Sequence, residues 1–574
     1  MTFAPWFLGG FLVLFLLNYI IAAGILWGSA RVFRVPEVRF RRALLAILLI
    51  VLLNLPLLAL ESRFFTTAMP WALPVLLAMT VASWIVYLVG SRIALPKEKR
   101  LRAASLAFVL QSVYGGICIF VLQTWVAEAF VIPTGSMAET LWGYHKMVRC
   151  PECGQEFAVN ASAEMDTVGG RPVQRLTACT CPNCRNDIDL ESARQDPPLA
   201  GGDRILCAKL GYGSLERLQV AAYRYPVEPV RNGVTMNYVG RIVGLPGETI
   251  AIAQGELYVH ASPRQVPTPE QFWSTPYSGF SWRGETEEER QAHDEAEKLF
   301  AAGKFQIIRK SPDEVLARRQ LVYDNNQRGK DGPAPRPRWR LADQVEPAPA
   351  TGDFVLPQSA DLSWLRYTHF NQPFAERPEL ITDFSGYNSG NTSMMPRNGA
   401  YWVGDLLLEC QAATDQAQGE LRLDLCKGNE RFQAVFDLAS GQCSLTRLRA
   451  AGQPAETLAN LATTLRRPGT NQLGFANVDA RLIVWVNGQS VFGNGVDYDP
   501  GSPQGPTVND LTPASIGASG TAVTLSNLRL WRDVYYTTFT VGMSRGGDVA
   551  LAGHALANPE RWDDPQLRKP TPML

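Results

Sequence analysis

The first quarter of the chain alternates long apolar runs with short polar loops. Four runs come close to the ~20 residues that a helix needs to cross a bilayer. They are Trp6–Trp27, Ala43–Leu60, Trp71–Gly90 and Ala103–Val126. The pattern predicts an N-terminal α-helical transmembrane bundle of four helices within residues 1–128.

Basic residues are concentrated in two of the loops between these runs, residues 31–42 and residues 92–102. Loops rich in Lys and Arg stay preferentially on the cytoplasmic side of a membrane. This orientation directs the chain after the fourth run to the opposite side. We therefore expect a multi-pass protein of the inner (cytoplasmic) membrane, in contact with the lipid bilayer, with the bulk of the chain on the outer, periplasmic face.

Beyond residue 128 the pattern becomes typical of strands. Short β-branched and aromatic runs bounded by Gly and Pro predict a mostly β domain over residues 129–260. Residues 261–385 are a mixed helical and linker region, and residues 541–574 form a C-terminal tail.

A second β region over residues 386–540 is predicted to form a β-sandwich of the jelly-roll type. Its predicted strands are Leu406–Cys410, Glu420–Leu425, Gln433–Leu438, Leu482–Val486 and Leu525–Trp531. Asn487-Gly488 after the fourth of these is a strong hairpin turn signal. The region resembles lectin-like and laminin-G-like jelly rolls, which implies a glycan or protein ligand. Trp485 and Trp531 fit either core packing or sugar binding.

Composition narrows the class of protein further. A chain of 574 residues is too long for one core, so several domains are expected. The 54 basic and 54 acidic residues balance, which argues against a nucleic-acid partner.

Cysteines form two C-x2-C pairs, Cys150 with Cys153 and Cys181 with Cys184. Four thiolates at such spacing suit one structural, tetrahedral Zn²⁺. We therefore expect a zinc-ribbon insert at residues 148–190. The alternative is a pair of disulfides, which an oxidising outer compartment allows. A further disulfide among Cys410, Cys426 and Cys443 stays open.

Three sequence boxes follow the apolar region in order. Residues 133–137 read Pro-Thr-Gly-Ser-Met, and residues 202–204 read Gly-Asp-Arg with Lys209 five positions on. Residues 238–248 read Tyr-Val-Gly-Arg-Ile-Val-Gly-Leu-Pro-Gly-Glu. Together they resemble the type I signal peptidases, or leader peptidases. The resemblance implies a membrane-bound serine endopeptidase that removes signal peptides from exported preproteins, needing no catalytic cofactor. By this resemblance Ser136 is the nucleophile, and Thr134 helps to hold the oxyanion.

The sequence departs from the family at the general base. The family has Lys where this chain has Gly240. Arg241 cannot substitute because arginine stays protonated in proteins, which leaves Lys209 or His145 as candidates. The family's C-terminal Gly-Asp-Asn box has no counterpart before Leu574, and continuation of the reading frame past that residue stays open. Two hypotheses remain: a signal-peptidase-like enzyme, or a catalytically inactive relative that acts as a membrane-tethered binding or scaffold protein.

Overall fold

The computed structural model of the chain describes most of residues 5–537. The described ranges are 5–35, 38–64, 72–165, 167–168, 171–172, 174–209, 215–226, 235–261, 294–295, 298–327, 337–342, 352–373, 375–391, 399–449, 453–465, 468–501 and 505–537. The predicted tail at 541–574 and much of the region 261–385 lie outside them. The chain divides into two compact units: Met1–Ala129 with Leu206–Tyr212, and Phe130–Ile205 with Gly213–Leu574.

The first unit is helical. Its helices are α1 (Pro5–Val32), α2 (Phe40–Phe64), α3 (Ala72–Gly90) and α4 (Lys97–Val121), and a π-helical turn, Leu122–Val126, follows α4. Small side chains let the helices approach closely and form their shared core. Fully buried members are Ala23, Leu26, Ala30, Ala43, Ala46, Ala103, Ala104 and Ala107.

The prediction of a four-helix transmembrane bundle is wrong. Among the described residues, one helical segment, Lys97–Val126, is long and apolar enough to cross a membrane. Within the residues whose side chains are described, Leu16–Val32 and Thr80–Ile93 are shorter apolar helical segments, below the roughly 20 residues that a span requires. The apolar residues of α1 and α2 were misinterpreted, because alanines on these helices form a buried core with neighbouring helices.

The second unit is mostly β, as expected. Its first part consists of small sheets and hairpins around the boxes found in the sequence. Four two-stranded sheets pair β1 with β9, β4 with β5, β6 with β7 and β10 with β11. Two three-stranded sheets have the orders β3-β2-β8 and β12-β13-β14. The strands are β1 (Ala127–Val131), β2 (His145–Arg149), β3 (Glu156–Asn160), β4 (Thr167–Val168), β5 (Arg171–Pro172), β6 (Ala178–Thr180), β7 (Asp187–Asp189), β8 (Leu199–Ala200), β9 (Arg204–Ala208), β10 (Val220–Pro226), β11 (Thr235–Arg241), β12 (Glu248–Ala253), β13 (Glu256–Ala261) and β14 (Gln306–Ile307).

A short helix, α5 (Pro312–Arg318), leads into the larger β part. Ser311 caps α5, because its hydroxyl accepts from the Glu314 N–H and the Glu314 carboxylate accepts from the Ser311 N–H. This is a capping box with Pro at the first helical position.

The larger part is a sandwich of an eight-stranded and a seven-stranded sheet. The first sheet has the order β15-β29-β19-β24-β25-β26, with β17 on β29 and β27 on β25, and the second has the order β16-β18-β28-β20-β21-β22-β23. The strands are β15 (Gln320–Asp324), β16 (Trp339–Leu341), β17 (Phe354–Leu356), β18 (Ser363–Tyr367), β19 (Leu406–Thr414), β20 (Glu420–Lys427), β21 (Glu430–Asp437), β22 (Gln442–Leu448), β23 (Glu456–Ala462), β24 (Gly469–Val478), β25 (Arg481–Val486), β26 (Gln489–Ser490), β27 (Val496–Asp497), β28 (Ala514–Ser519) and β29 (Val523–Arg532).

The side chains facing inward from both sheets form one apolar core. Phe432, Phe436 and Phe475 are among its fully buried members. Each of the five predicted strands lies on an observed strand. Strands β15 to β18 also join the two sheets, so the sandwich includes residues that the sequence placed in a linker region.

Candidate active site and candidate metal centre

Asp203 holds both ends of the loop that carries Ser136. The loop joins β1 to β2, and the Ser136 side chain is exposed. At its start, the Ile132 N–H donates to the Asp203 carbonyl at 2.9 Å. Near its end, the Trp142 N–H donates to the Asp203 carboxylate at 2.7 Å, and the Trp142 carbonyl accepts from the Asp203 N–H at 2.8 Å. Asp203 belongs to the Gly-Asp-Arg box, so the structure brings two of the three boxes together.

Two glycines allow the backbone to pack tightly beside the serine. A Cβ added at Gly143 would lie 2.4 Å from the Thr134 carbonyl carbon, and one at Gly202 would lie 1.7 Å from the Ile132 carbonyl oxygen. Real Cβ atoms do not approach backbone so closely, so any side chain at either position would push the segments apart. The exposed Thr134 and Ser136 therefore sit on a loop whose shape depends on these glycines.

Tyr387 packs against the same loop and was not predicted from the sequence. A Cβ added at Gly135 would lie 2.1 Å from the Tyr387 ring. The Tyr387 hydroxyl accepts from the Gly143 N–H at 3.2 Å, and its carbonyl accepts from the Asn160 N–H at 2.8 Å. Burial raises the pKa of this phenol, so it stays protonated. No local sequence signal identifies a partner 244 residues away.

Gly240, which stands where the family has its lysine base, lies on β11. Gly240 pairs with Ala221 of β10, and a Cβ added there would lie 3.4 Å from the ring of Tyr223, an ordinary contact distance. The neighbouring Arg241 donates to the Thr140 hydroxyl at 2.9 Å. That bond connects the third box to the loop of Ser136. No described residue forms a hydrogen bond with the Ser136 hydroxyl.

The two alternative bases are held by other groups. In the helical unit, the Lys209 ammonium contacts the Glu128 carboxylate and the Gln123 carbonyl, each at 2.7 Å. These two contacts engage the Lys209 side chain within that unit. His145 is buried, and its Nδ1 lies 2.9 Å from the Gly143 carbonyl. Because a carbonyl can only accept, Nδ1 is the donor in this contact.

The end of the third box forms a turn stabilised by Glu248. Its carboxylate accepts from the Leu245 N–H at 2.7 Å and from the Arg217 guanidinium at 2.5 Å. Burial alone would raise the pKa of Glu248, but these hydrogen bonds outweigh it and the pKa is lowered. This ionised carboxylate therefore holds the turn rather than serving as a base near neutral pH.

The four cysteines of the C-x2-C pairs meet in one buried cluster. Their sulfur atoms all lie within 4.8 Å of one another. Cys150 Sγ is 3.5 Å from Cys184 Sγ, and Cys153 Sγ is 3.6 Å from Cys181 Sγ. Ligands at the usual 2.3 Å around tetrahedral zinc are about 3.8 Å apart. The donor set and its spacing therefore fit Zn²⁺.

The two pairs sit on turns of the same geometry. The Cys150 carbonyl accepts from the Gly154 N–H at 3.0 Å, and the Cys181 carbonyl accepts from the Arg185 N–H at 3.1 Å. Gly154 and Arg185 both have positive φ, +76° and +66°. All ten cysteines of the chain are free thiols in this structure. The fifth nearby thiol, Cys179, is outside the cluster, and burial raises its pKa to about 12.

Comparisons with solved structures returned weak matches. The carbohydrate binding module CBM66 from Bacillus subtilis is 10% identical, with 34% of this chain and 94% of that chain covered and a TM-score of 0.20. The Caenorhabditis elegans galectin LEC-6 is 11% identical, with 32% and 97% covered and a TM-score of 0.18. Trypanosoma rangeli sialidase is 20% identical, with 22% and 20% covered and a TM-score of 0.16. Likenesses at this level support no conclusion about function.

No curated protein matches the chain. The family model for signal peptidase, peptidase S26, matches residues 185–328, about a quarter of the chain. This range contains the second and third boxes and begins after Ser136. Residues 185–328 of the chain therefore carry a signal-peptidase-family domain.

Proposed function

We propose that this chain is a signal-peptidase-like serine endopeptidase that cleaves signal peptides from exported preproteins, with Ser136 as nucleophile. The observation that carries the proposal is the contact of Asp203 with both ends of the Ser136 loop. Asp203 lies inside the range that matches the signal peptidase family. The loop of Ser136, which lies outside that range, is thus fixed to the family domain.

In the proposed reaction the Ser136 hydroxyl attacks the carbonyl carbon of the scissile peptide bond. The C–N bond breaks, the mature protein leaves as an amine that takes up the hydroxyl proton, and the acyl group stays on Ser136. Water then hydrolyses this ester, which releases the signal peptide as a carboxylic acid and restores the Ser136 hydroxyl. The Ser136 backbone N–H and the Thr134 hydroxyl are the expected donors to the oxyanion. The weak point is the proton of Ser136, because Gly240 has no side chain to accept it. A general base contributes typically ~10²–10⁴-fold, so we expect slow turnover.

The test is cleavage of a preprotein with a small-x-small site by the full chain in detergent micelles. We expect slow cleavage by the wild type, none by Ser136→Ala, and wild-type cleavage by Ser192→Ala, an exposed serine elsewhere in the same unit. Cleavage that survives Ser136→Ala would refute the assigned nucleophile. Absence of any cleaved product from the wild type would favour the inactive scaffold instead.

We assign a structural role to the four-cysteine cluster. Zinc bound by Cys150, Cys153, Cys181 and Cys184 leaves no open coordination position for a substrate. The segment between the two pairs contributes few apolar residues to a core, so the metal would hold it together. Its role would be to support β2 and β3, which follow the Ser136 loop.

We also propose that the helix Lys97–Val126 anchors the chain in a membrane. Its N-terminal turns carry Lys97, Lys99, Arg100 and Arg102. By the positive-inside rule this end lies in the cytoplasm, which directs the residues that follow to the outer face of the inner membrane. Signal peptides are cleaved on that face, so the anchor suits the proposed substrate.

A further inference from the structure

One short segment of the second unit contacts both the four-cysteine cluster and the loop that carries Ser136. It comprises residues 384–391, between β18 and β19, and we call it the linking segment. Tyr387, at its centre, is buried and packs on the Ser136 loop. The residues on either side of this tyrosine instead contact the turn of the second cysteine pair, Cys181 with Cys184.

The first half of the linking segment packs directly on that turn. A Cβ added at Gly386 would lie 2.9 Å from the Cβ of Pro182, which follows the first cysteine of the pair. Beside it, the buried Arg185 guanidinium lies over the Phe384 ring, 3.7 Å from the ring centroid. The turn and the linking segment therefore share a close contact surface.

Hydrogen bonds fix the second half of the linking segment to the strand that leads into the turn. The buried Ser389 hydroxyl accepts from the Thr180 N–H at 3.1 Å. The Asn391 side-chain oxygen accepts from the Thr177 N–H at 2.8 Å and from the Ala178 N–H at 3.2 Å. The Asn391 N–H also donates to the Ala178 carbonyl at 3.0 Å. The linking segment thus keeps its position only while this strand keeps its own.

The turn of the second cysteine pair depends on metal for its stability. Eleven buried residues form the apolar cluster around the two pairs, and four of them are the paired cysteines themselves. Without zinc, the other seven side chains must hold both turns, and so small a core rarely stabilises a short segment by itself. Because zinc binding and folding of such a segment are coupled, zinc removal should let the turn open locally.

We propose that zinc at the four-cysteine cluster orders the Ser136 loop through the linking segment. Ser389 and Asn391 are positioning residues that act on this loop through Tyr387. When zinc leaves, the turn opens, the linking segment loses its contacts with residues 177–180, and Tyr387 loses its support. The inference rests on the zinc site and the nucleophile assigned above, and it adds a regulatory link between them.

The test is hydrogen exchange of the full chain in detergent micelles, with zinc bound and after zinc is removed by a chelator together with a reductant. Elemental analysis follows the zinc content. A peptide covering residues 133–144 should exchange at least about fivefold faster after zinc removal, and zinc added back should restore slow exchange. A peptide covering residues 420–437, in β20 and β21 of the sandwich, should not change.

Variants of the linking segment separate this route from a direct one, because β2 also joins the Ser136 loop to the first cysteine pair. With zinc in excess, Ser389→Ala and Asn391→Ala should bind the metal. Their 133–144 peptide should nevertheless exchange at least about fivefold faster than that of the wild type, so that zinc removal adds little. Asn391→Asp, which keeps the acceptor oxygen, should behave as the wild type. The matched control is Ser192→Ala, at an exposed serine near the same cysteine pair.

The inference is overturned if zinc removal leaves exchange of residues 133–144 unchanged, or if Ser389→Ala and Asn391→Ala respond to zinc removal as the wild type does. Equal acceleration of the sandwich peptide would also overturn it, because the loop would then open only with the whole unit. A chain that binds no zinc would remove both the zinc site and this link. The nucleophile is tested separately, since no substrate enters the exchange measurement.

Discussion

Removing the Tyr387 hydroxyl should loosen the loop that carries Ser136. Tyr387→Phe keeps the ring against Gly135 but leaves the Gly143 N–H without its acceptor. Gly143 is buried, as is the tyrosine. A buried donor left unsatisfied costs about 1–3 kcal/mol. Local opening of the loop should become more favourable by that amount.

Hydrogen exchange measures this directly, without assuming that a multi-domain chain unfolds in one step. A peptide covering residues 133–144 should exchange roughly 5- to 150-fold faster in Tyr387→Phe, since every 1.4 kcal/mol is tenfold. Tyr223→Phe is the control, because Tyr223 is 49% exposed and loses little with its hydroxyl. Unchanged exchange of this peptide in Tyr387→Phe would refute the idea that Tyr387 holds the loop.

Three further predictions concern the four-cysteine cluster, the Asp533 carboxyl and the helix Lys97–Val126. The purified chain should contain one zinc ion. The zinc should be lost in Cys153→Ser and on acidification, because protons compete for sulfur, but it should be kept in the control Cys179→Ser. Elemental analysis that finds no metal, together with thiol counts that show two disulfides, would contradict the zinc site. Burial raises the pKa of Asp533 from 3.8 to about 6. The native carboxyl thus binds its proton more tightly than the unfolded one, so its stabilising contribution is full below about pH 4 and is lost as the pH rises through about 6. The unfolding free energy of the wild type relative to Asp533→Asn should fall by about 3 kcal/mol over that window, and a flat difference would count against it. Protease added to intact spheroplasts should digest residues 130–574, and complete protection would exclude an anchor oriented outward by Lys97–Val126.

Local patterns were enough to predict much of the sandwich. Alternation of apolar and polar residues located strands such as β25, and the turn after it has positive φ at Asn487 and Gly488, +51° and +80°. These features depend on residues adjacent in sequence. The C-x2-C pairs were also visible, because each pair forms its own turn and the sulfurs then meet.

Features that depend on distant contacts could not be predicted. Apolar content alone does not distinguish a membrane span from a helix that packs through alanine, as α1 and α2 do. Tyr387 and Asp533 carry no sequence signal, since each acts on residues far along the chain. The contacts of Asp203 with the Ser136 loop were not predicted from the sequence either.

The structure also indicates what a lysine at position 240 would do. Gly240 has ordinary contact distance to Tyr223, so Gly240→Lys should fold. However, Tyr223 and the neighbouring Tyr238 are 49% and 40% exposed, so the new side chain would extend along a wet surface. A base needs a lysine whose pKa is lowered by burial or nearby positive charge, and a solvated lysine stays near 10.4. Gly240→Lys should therefore not reach full signal peptidase activity. Full activity in the preprotein assay would mean that substrate binding itself removes water from this face.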